Sequence, residues 1–218
     1  MRLVVLLLIL PVVLAAAGPA AGSEIVLGVH GGYGAYSQED LNEVIGLING
    51  RVGHEAVGEV KGGFEYGAHF GLRINATTIL GVGYARLDAA TSGEGGGETL
   101  DVSVPADCWL AFINWLPDSD SVGRIGLGAD AGFVTADGYS RYTSTNPVVD
   151  DAETFSGRGL FLSLYVLGDL ALGETFSLLA GGGFRLAQVP DISVNGAASG
   201  SDLDYSGVFL RVGLRYAP

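Results

Sequence analysis

The stretch from Tyr205 to Tyr216, Tyr-Ser-Gly-Val-Phe-Leu-Arg-Val-Gly-Leu-Arg-Tyr, alternates with period two. Val208, Leu210, Val212, Leu214 and Tyr216 make one wholly apolar row, and Gly207, Phe209, Arg211, Gly213 and Arg215 make the other. Successive side chains of a strand point to opposite faces, so the two rows meet two different environments. A soluble sheet hides its apolar face and covers the other with Lys, Glu and Thr. Here the second row holds glycines and isolated arginines, so the apolar row suits hydrocarbon better than water.

The same grammar recurs along the chain. Glu24 to Tyr36 sets Ile25, Leu27, Val29 and Tyr33 against Gly28, His30, Gly32 and Gly34. Glu59 to Ile74 sets Val60, Phe64, Tyr66, Ala68, Phe70, Leu72 and Ile74 against Lys61, Gly63, Glu65, Gly67, His69, Gly71 and Arg73, with every charge on one side. Ile79 to Asp88 places Leu80, Val82 and Tyr84 outward and Gly81 and Gly83 inward. A fourth strand, Thr99 to Leu116, carries Leu100, Val102, Val104, Ala106, Cys108, Leu110 and Phe112 against Asp101, Ser103, Asp107 and Trp109. Trp109, Ile113 and Trp115 break its pattern, and Pro105 suggests a bulge. Gly123 to Tyr142, Arg158 to Leu172, Thr175 to Gln188 and the closing stretch complete eight strands.

The connections alternate in length. Short turns near residues 75, 119 and 173 fall at one end together with both termini of the mature chain, and long polar loops fall at the other. One of these loops is the glycine-rich run Ser92 to Glu98, another the acidic run Thr143 to Gly157, and a third Pro190 to Asp202. The first long loop holds a helix over 38–49, with Ser37 as its cap, Leu41, Val44, Ile45 and Ile48 along one side and Gly50 to stop it. Its polar side is acidic and lacks the Lys and Arg of helices drawn to anionic lipid, which favours packing over the mouth above a membrane-surface role. An even strand count lets the first and last strands pair and leaves no open edge. The expectation is an all-β, eight-stranded antiparallel up-and-down transmembrane barrel with one short helix.

The charges decide which row faces inward. A Lys or Arg facing lipid at the bilayer centre costs about 2–4 kcal/mol, so several would consume much of a domain's stability of about 5–15 kcal/mol. The inward set is His30, Lys61, Glu65, His69, Arg73, Asp107, Asp130, Tyr165, Asp169, Arg185, Arg211 and Arg215. A barrel of this size is just wide enough for side chains to fill, and buried ions demand partners. A charge-paired plug is therefore expected, with Glu65 and Asp130 among the partners of Arg211 and Arg185. His30 and His69 lack ligand-spaced companions, so no metal is expected, and no cofactor motif is present.

The leader sets an address. Met1-Arg2 precedes an apolar run from Leu3 to Ala17, interrupted by Pro11 and followed by small residues. This is too short for a spanning helix and reads as a signal peptide over 1–22, leaving 23–218 as the barrel domain. Basic residues number 11, with Lys61 the only lysine, and the net charge of −13 excludes nucleic-acid backbones as partners. Cys108 is the only cysteine, so no disulfide forms within the chain. Acids of the long loops, among them Glu39, Asp40, Asp150, Asp151, Glu153 and Asp202, could bind divalent cations or a basic partner, or simply keep the rim hydrated. No calcium-loop spacing appears among them.

The closing strand resembles the C-terminal strand of bacterial outer-membrane barrels, which ends in an aromatic read by the assembly machinery; here Ala217 and Pro218 follow Tyr216. With its strand count, loop asymmetry and aromatics near the strand ends, the mature chain resembles eight-stranded outer-membrane proteins of the OmpA and OmpX kind. The resemblance implies a monomer in the bacterial outer membrane, surrounded by its lipids and without catalytic residues. The role expected is structural or surface-interacting, or that of a narrow pore. Two other classes stay open. One is an outer-membrane enzyme acting on lipid, with the helix as lid and His54 as a base near the rim, although no Gly-x-Ser-x-Gly element is present. The other is a secreted soluble barrel with reversed facings and an apolar ligand inside.

Overall fold

A computed structural model describes residues 24–36, 38–52, 57–95, 97–117, 122–145 and 147–218. The expected signal peptide, the Ser37 cap, His54 and most of the turn near residue 119 lie outside the described residues. Eight long strands form the wall: β1 Glu24–Tyr36, β2 Gly62–Arg73, β3 Thr78–Leu87, β4 Ala106–Trp115, β5 Gly123–Thr145, β6 Val148–Ala171, β7 Phe176–Val189 and β8 Gly207–Tyr216. Each pairs antiparallel with its neighbour, and β8 returns to β1 with Tyr216 opposite Leu27 and Gly207 opposite Tyr36, which closes the ring. Closure satisfies the backbone of every wall strand and removes the edges that lipid could not hydrogen-bond.

The inside-out arrangement follows the alternation. Leu210, Phe64 and Leu164 are 72%, 72% and 63% exposed, whereas Glu65, Asp130 and Arg185 are 6%, 3% and 2% exposed. In water such a continuous apolar exterior would far exceed what a monomer tolerates. Below the level of Arg86, Asp107 and Arg158, the outward rows of the eight strands carry no charged residue. Aromatics bound this belt: Tyr84 packs on Trp109 and Tyr33 on Phe64 towards the long-loop end, and Phe176 packs on Tyr216 at the short-turn end. These are the girdles of a transmembrane barrel.

At the short-turn end the chain reverses tightly. Asn75 Oδ1 accepts hydrogen bonds from Thr77 N and Oγ1 while Ile74 N donates to Thr78 O, an Asx-type turn. Leu172 N donates to Phe176 O in the turn between β6 and β7.

The long-loop end is more ordered than its composition implies. Within the acidic run from Thr143 to Gly157, residues 143–145 and 148–157 are strand and not loop: β5 and β6 stay paired from Thr135 opposite Arg158 up to Thr145 opposite Val148. The glycine-rich run is likewise a hairpin, Ala90–Gly95 with Glu98–Ser103, and its second strand pairs with the β5 extension. Above the membrane neither row needs to be apolar, so these strands lack the signature that marks the wall.

The fourth strand differs most from expectation. It is two strands, Glu98–Ser103 and Ala106–Trp115, separated at Val104-Pro105. Its facing is reversed, because Ala106, Cys108 and Phe112 are buried while Trp109, Ile113 and Trp115 are exposed to the belt. The free Cys108 is buried in the interior.

Above the polar middle of the lumen the inward rows turn apolar. Leu87, Ala106, Cys108, Val134, Phe161, Ala187 and Val189 converge with Tyr36, Val104 and Tyr205 in one core that fills the outer half of the barrel. The helix α1, Glu39–Val52, seats Leu41 and Ile45 on this core, while Val44 and Leu47 remain exposed. It passes through Gly50 instead of stopping there. Asn42 clamps it in place by donating to Val60 O at 3.1 Å and accepting from Val60 N at 2.7 Å. Asn49, two turns on and on the same side, does the same with Val57 at 2.8 and 3.1 Å. Val60 is therefore a buried contact of the helix (2% exposed) and not part of the lipid-facing row.

Candidate functional site

The interior network is assembled from glycine-spaced inward rows. Tyr165 stands between Gly128 and Gly183 in register. A Cβ at Gly128 would overlap the Tyr165 ring, and one at Gly183 would strike Leu164 O. The space that glycine leaves lets the phenol cross the lumen, where its single O–H donates to Asp130 Oδ1 at 2.8 Å while Asn114 Oδ1 lies 2.7 Å from the same hydroxyl oxygen. Ser163 Oγ donates to the other Asp130 oxygen at 2.9 Å. Arg211 lies 3.5 Å from Asp130 Oδ2, with its guanidinium 4.0 Å above the centre of the Tyr165 ring.

A second cluster lies towards the outer half. Arg185 Nη1 donates to Glu65 Oε2 at 2.7 Å and its Nε to Tyr205 O at 3.0 Å. The same guanidinium is ringed by Tyr36, Phe161 and Phe209 at 5.6–6.0 Å. Tyr205 then bridges the lumen, its hydroxyl donating to Val104 O at 2.6 Å.

A third cluster lies towards the short turns. Asp169 Oδ2 accepts from Arg215 and, at 2.5 Å, from Arg124. Beside it Arg73 reaches Glu24 at 2.6 Å. His30 and His69 stack with ring centres 6.1 Å apart, and His69 meets Phe112 edge-on. A central cavity of about 40 Å³ remains between these histidines, Asp130, Tyr165 and Arg211, with room for only a few waters.

Two expected members are absent from this interior. Lys61 precedes β2 and pairs with Glu59 at 2.9 Å, its side chain 76% exposed, because the segment before Gly62 leaves the wall to meet the helix. Asp107 faces outward in consequence of the reversed β4; it accepts from Tyr84 Oη at 2.6 Å and from Arg86 Nη1 at 3.0 Å at the outer edge of the belt. In their place come Glu24, Asn114, Arg124 and Ser163. Arg124 shares the parity of Gly126 and Asp130 and was open to inference; Asn114 was hidden by the facing of β4.

A separate cleft opens at the mouth, with a volume of about 270 Å³. Its floor is Leu100, Val102, Val104, Ile192 and Leu203, and its walls are α1 and the inner face of the β5–β6 extension. The row that carries Phe161, Ser163 and Tyr165 inside the barrel continues upward as Phe155, Glu153 and Asp151. On the outer face of the same hairpin, Arg141 holds Asp150 in a two-pronged ion pair at 2.8–2.9 Å. That hydrogen bonding keeps the Asp150 carboxyl below the usual carboxylate range.

No family model matches the chain, and no curated protein does. Solved structures do. The chain is similar to Neisserial surface protein A, at 16% identity over 89% of this chain and 98% of that one, with a TM-score of 0.51. It is similar to a major outer membrane protein from Thermus thermophilus, at 15% identity over 89% and 99%, TM-score 0.52. A third likeness is to the outer membrane protein OprG from Pseudomonas aeruginosa, at 12% identity over 91% and 96%, TM-score 0.50. At such identities the likeness is one of fold: this chain has the fold of the eight-stranded outer-membrane β-barrel proteins. That fold, with its uncharged apolar belt between aromatic girdles, places the chain in a bacterial outer membrane.

Proposed function

We propose that this chain is a sealed, non-enzymatic outer-membrane barrel whose working part is the surface it raises above the membrane. The observation that carries this reading is closure of the lumen at successive levels. Arg215, Asp169 and Arg124 cross it near the short turns, and Tyr165, Asp130 and Arg211 cross it in the middle. Tyr205 spans it above, under an apolar core capped by α1. An aqueous path needs polar walls throughout, and beyond the Arg185–Glu65 pair the lumen is filled by the apolar core. Meanwhile β5 continues for eleven residues from Thr135 to Thr145, roughly 36 Å along the strand at about 3.3 Å per residue. So long a paired extension suits recognition outside the cell better than transport.

In this reading the barrel works as a monomer, since its ring has no free edge. Outer-membrane lipids surround its belt, and the assembly machinery takes the strand ending at Tyr216. Planar-bilayer conductance tests the seal. After insertion is verified by heat-sensitive gel mobility, the native chain and Glu65→Ala should both be silent. Discrete conductance steps from the native chain would overturn it.

A further inference from the structure

We propose that the cleft at the mouth is a binding site for a small cationic amphiphile, a molecule joining one aromatic or short aliphatic body to a protonated amine. The inference deepens the surface-recognition reading by naming the chemistry of what is recognised, and it rests on that reading for the side from which the ligand arrives.

The floor supplies the apolar half of the match. Leu100, Val102, Val104, Ile192 and Leu203 are each no more than 4% exposed and come from three separate segments. A volume of about 270 Å³ lies near the lower end of ordinary small-ligand pockets, about 300–1,000 Å³. An apolar cavity of roughly 150 Å³ already accepts benzene, so a fused ring or a short chain fits here.

The rim supplies the charge. Asp40, Asp151, Glu153 and Asp202 line the cleft, and among the described residues no Lys or Arg does. Asp40 and Asp202 are held in position by the backbone, Asp40 Oδ2 accepting from Asp202 N at 2.9 Å and Asp202 Oδ1 from Asp191 N at 3.0 Å. Asp151 and Glu153 stand on the inward row of β6 and make no ion pair among the described residues. Arg141, the guanidinium on the neighbouring strand, points to the opposite face and is already neutralised by Asp150. Among the described residues no three carboxylates converge closely enough to hold a metal ion. The charge is thus spread around an apolar hollow, which suits an ammonium on a hydrophobic body and repels fatty acids and anionic headgroups.

A matched pair of probes separates the two contributions. The full barrel in nanodiscs of zwitterionic lipid is titrated with 1-naphthylmethylammonium and with 1-naphthoate, which share a ring system and differ in charge. The ammonium should bind saturably, one per barrel, and weaken as salt rises; the carboxylate should not bind. Asp151→Asn with Glu153→Gln should lower affinity for the ammonium by about tenfold. Val102→Phe, which fills the hollow, should abolish binding while heat-sensitive gel mobility is retained. Equal binding of both probes, binding unchanged in the double variant, or competition by calcium at equimolar concentration would overturn the proposal. Conductance of the native chain would overturn the sealed-barrel reading without touching this one, and absence of binding in a silent barrel would do the reverse.

Discussion

Glu65 and Arg185 lie 120 positions apart in sequence and meet at 2.7 Å inside the barrel, each side chain no more than 5% exposed. The pair ties β2 to β7 across the lumen. A buried ion left without its partner costs about 3–5 kcal/mol, whereas replacing both ions by apolar groups of similar volume is often neutral. Glu65→Ala and Arg185→Ala should therefore each lower the unfolding free energy of the lipid-reconstituted barrel, read from denaturant titration, by an amount in that range. Glu65→Leu combined with Arg185→Met should recover most of the loss. A double variant as unstable as the sum of the two singles would show that the pair does not act as a unit.

The Tyr165 crossing should be equally sensitive to space and to hydrogen bonding. Tyr165→Phe removes the hydroxyl that donates to Asp130 and adjoins Asn114 and should cost about 1–3 kcal/mol, because buried polar groups at the crossing lose a partner. Gly128→Val should fail to yield the heat-sensitive folded band, since its side chain would occupy the volume of the ring. Gly128→Val combined with Tyr165→Ala should fold again.

The helix is held as a separable unit. Asn42 and Asn49 each form two bonds to the segment at Val57–Val60, and no other described asparagine bonds to that segment. Asn42→Ala with Asn49→Ala should raise amide hydrogen exchange across α1 by at least about tenfold while leaving β1 to β8 protected, as expected for local opening. Exchange that rises equally in the wall would mean that the helix is integral to barrel stability.

How far the alternation could be read depended on what each strand meets. Inside the membrane one row touches hydrocarbon and the other a crowded lumen, so period two gave the facing of seven wall strands from residues such as Leu210 and Arg211. β4 misled because its inward row, Ala106, Cys108 and Phe112, is itself apolar. It belongs to the outer core, so greasiness alone could not tell inside from outside. The tryptophans at 109 and 115 carried the better signal, since girdle aromatics stand on the lipid face. The extensions of β5 and β6 were illegible for the opposite reason: with water on one side and a cleft on the other, neither row is uniformly apolar. Ten of the twelve expected interior residues lie in the lumen, Lys61 and Asp107 being the exceptions, but which acid each arginine takes was not legible. Arg185 chose Glu65 and Arg211 chose Asp130 through strand stagger, which a sequence does not state.

The chain carries its own probes for the central claim, that the outward rows face hydrocarbon. It has 2 tryptophans, and Trp109 and Trp115 both lie on the outward row of β4, 47% and 48% exposed. They lie six positions apart, roughly 20 Å along the strand at about 3.3 Å per residue, which places one at each girdle. Tryptophan fluorescence of the native chain reconstituted in lipids brominated along their chains tests this directly. Strong quenching is predicted, greater for bromines near the headgroup than at the chain terminus, with little effect of aqueous iodide. Quenching by iodide with none by the brominated lipids would place these rows in water and contradict the membrane assignment.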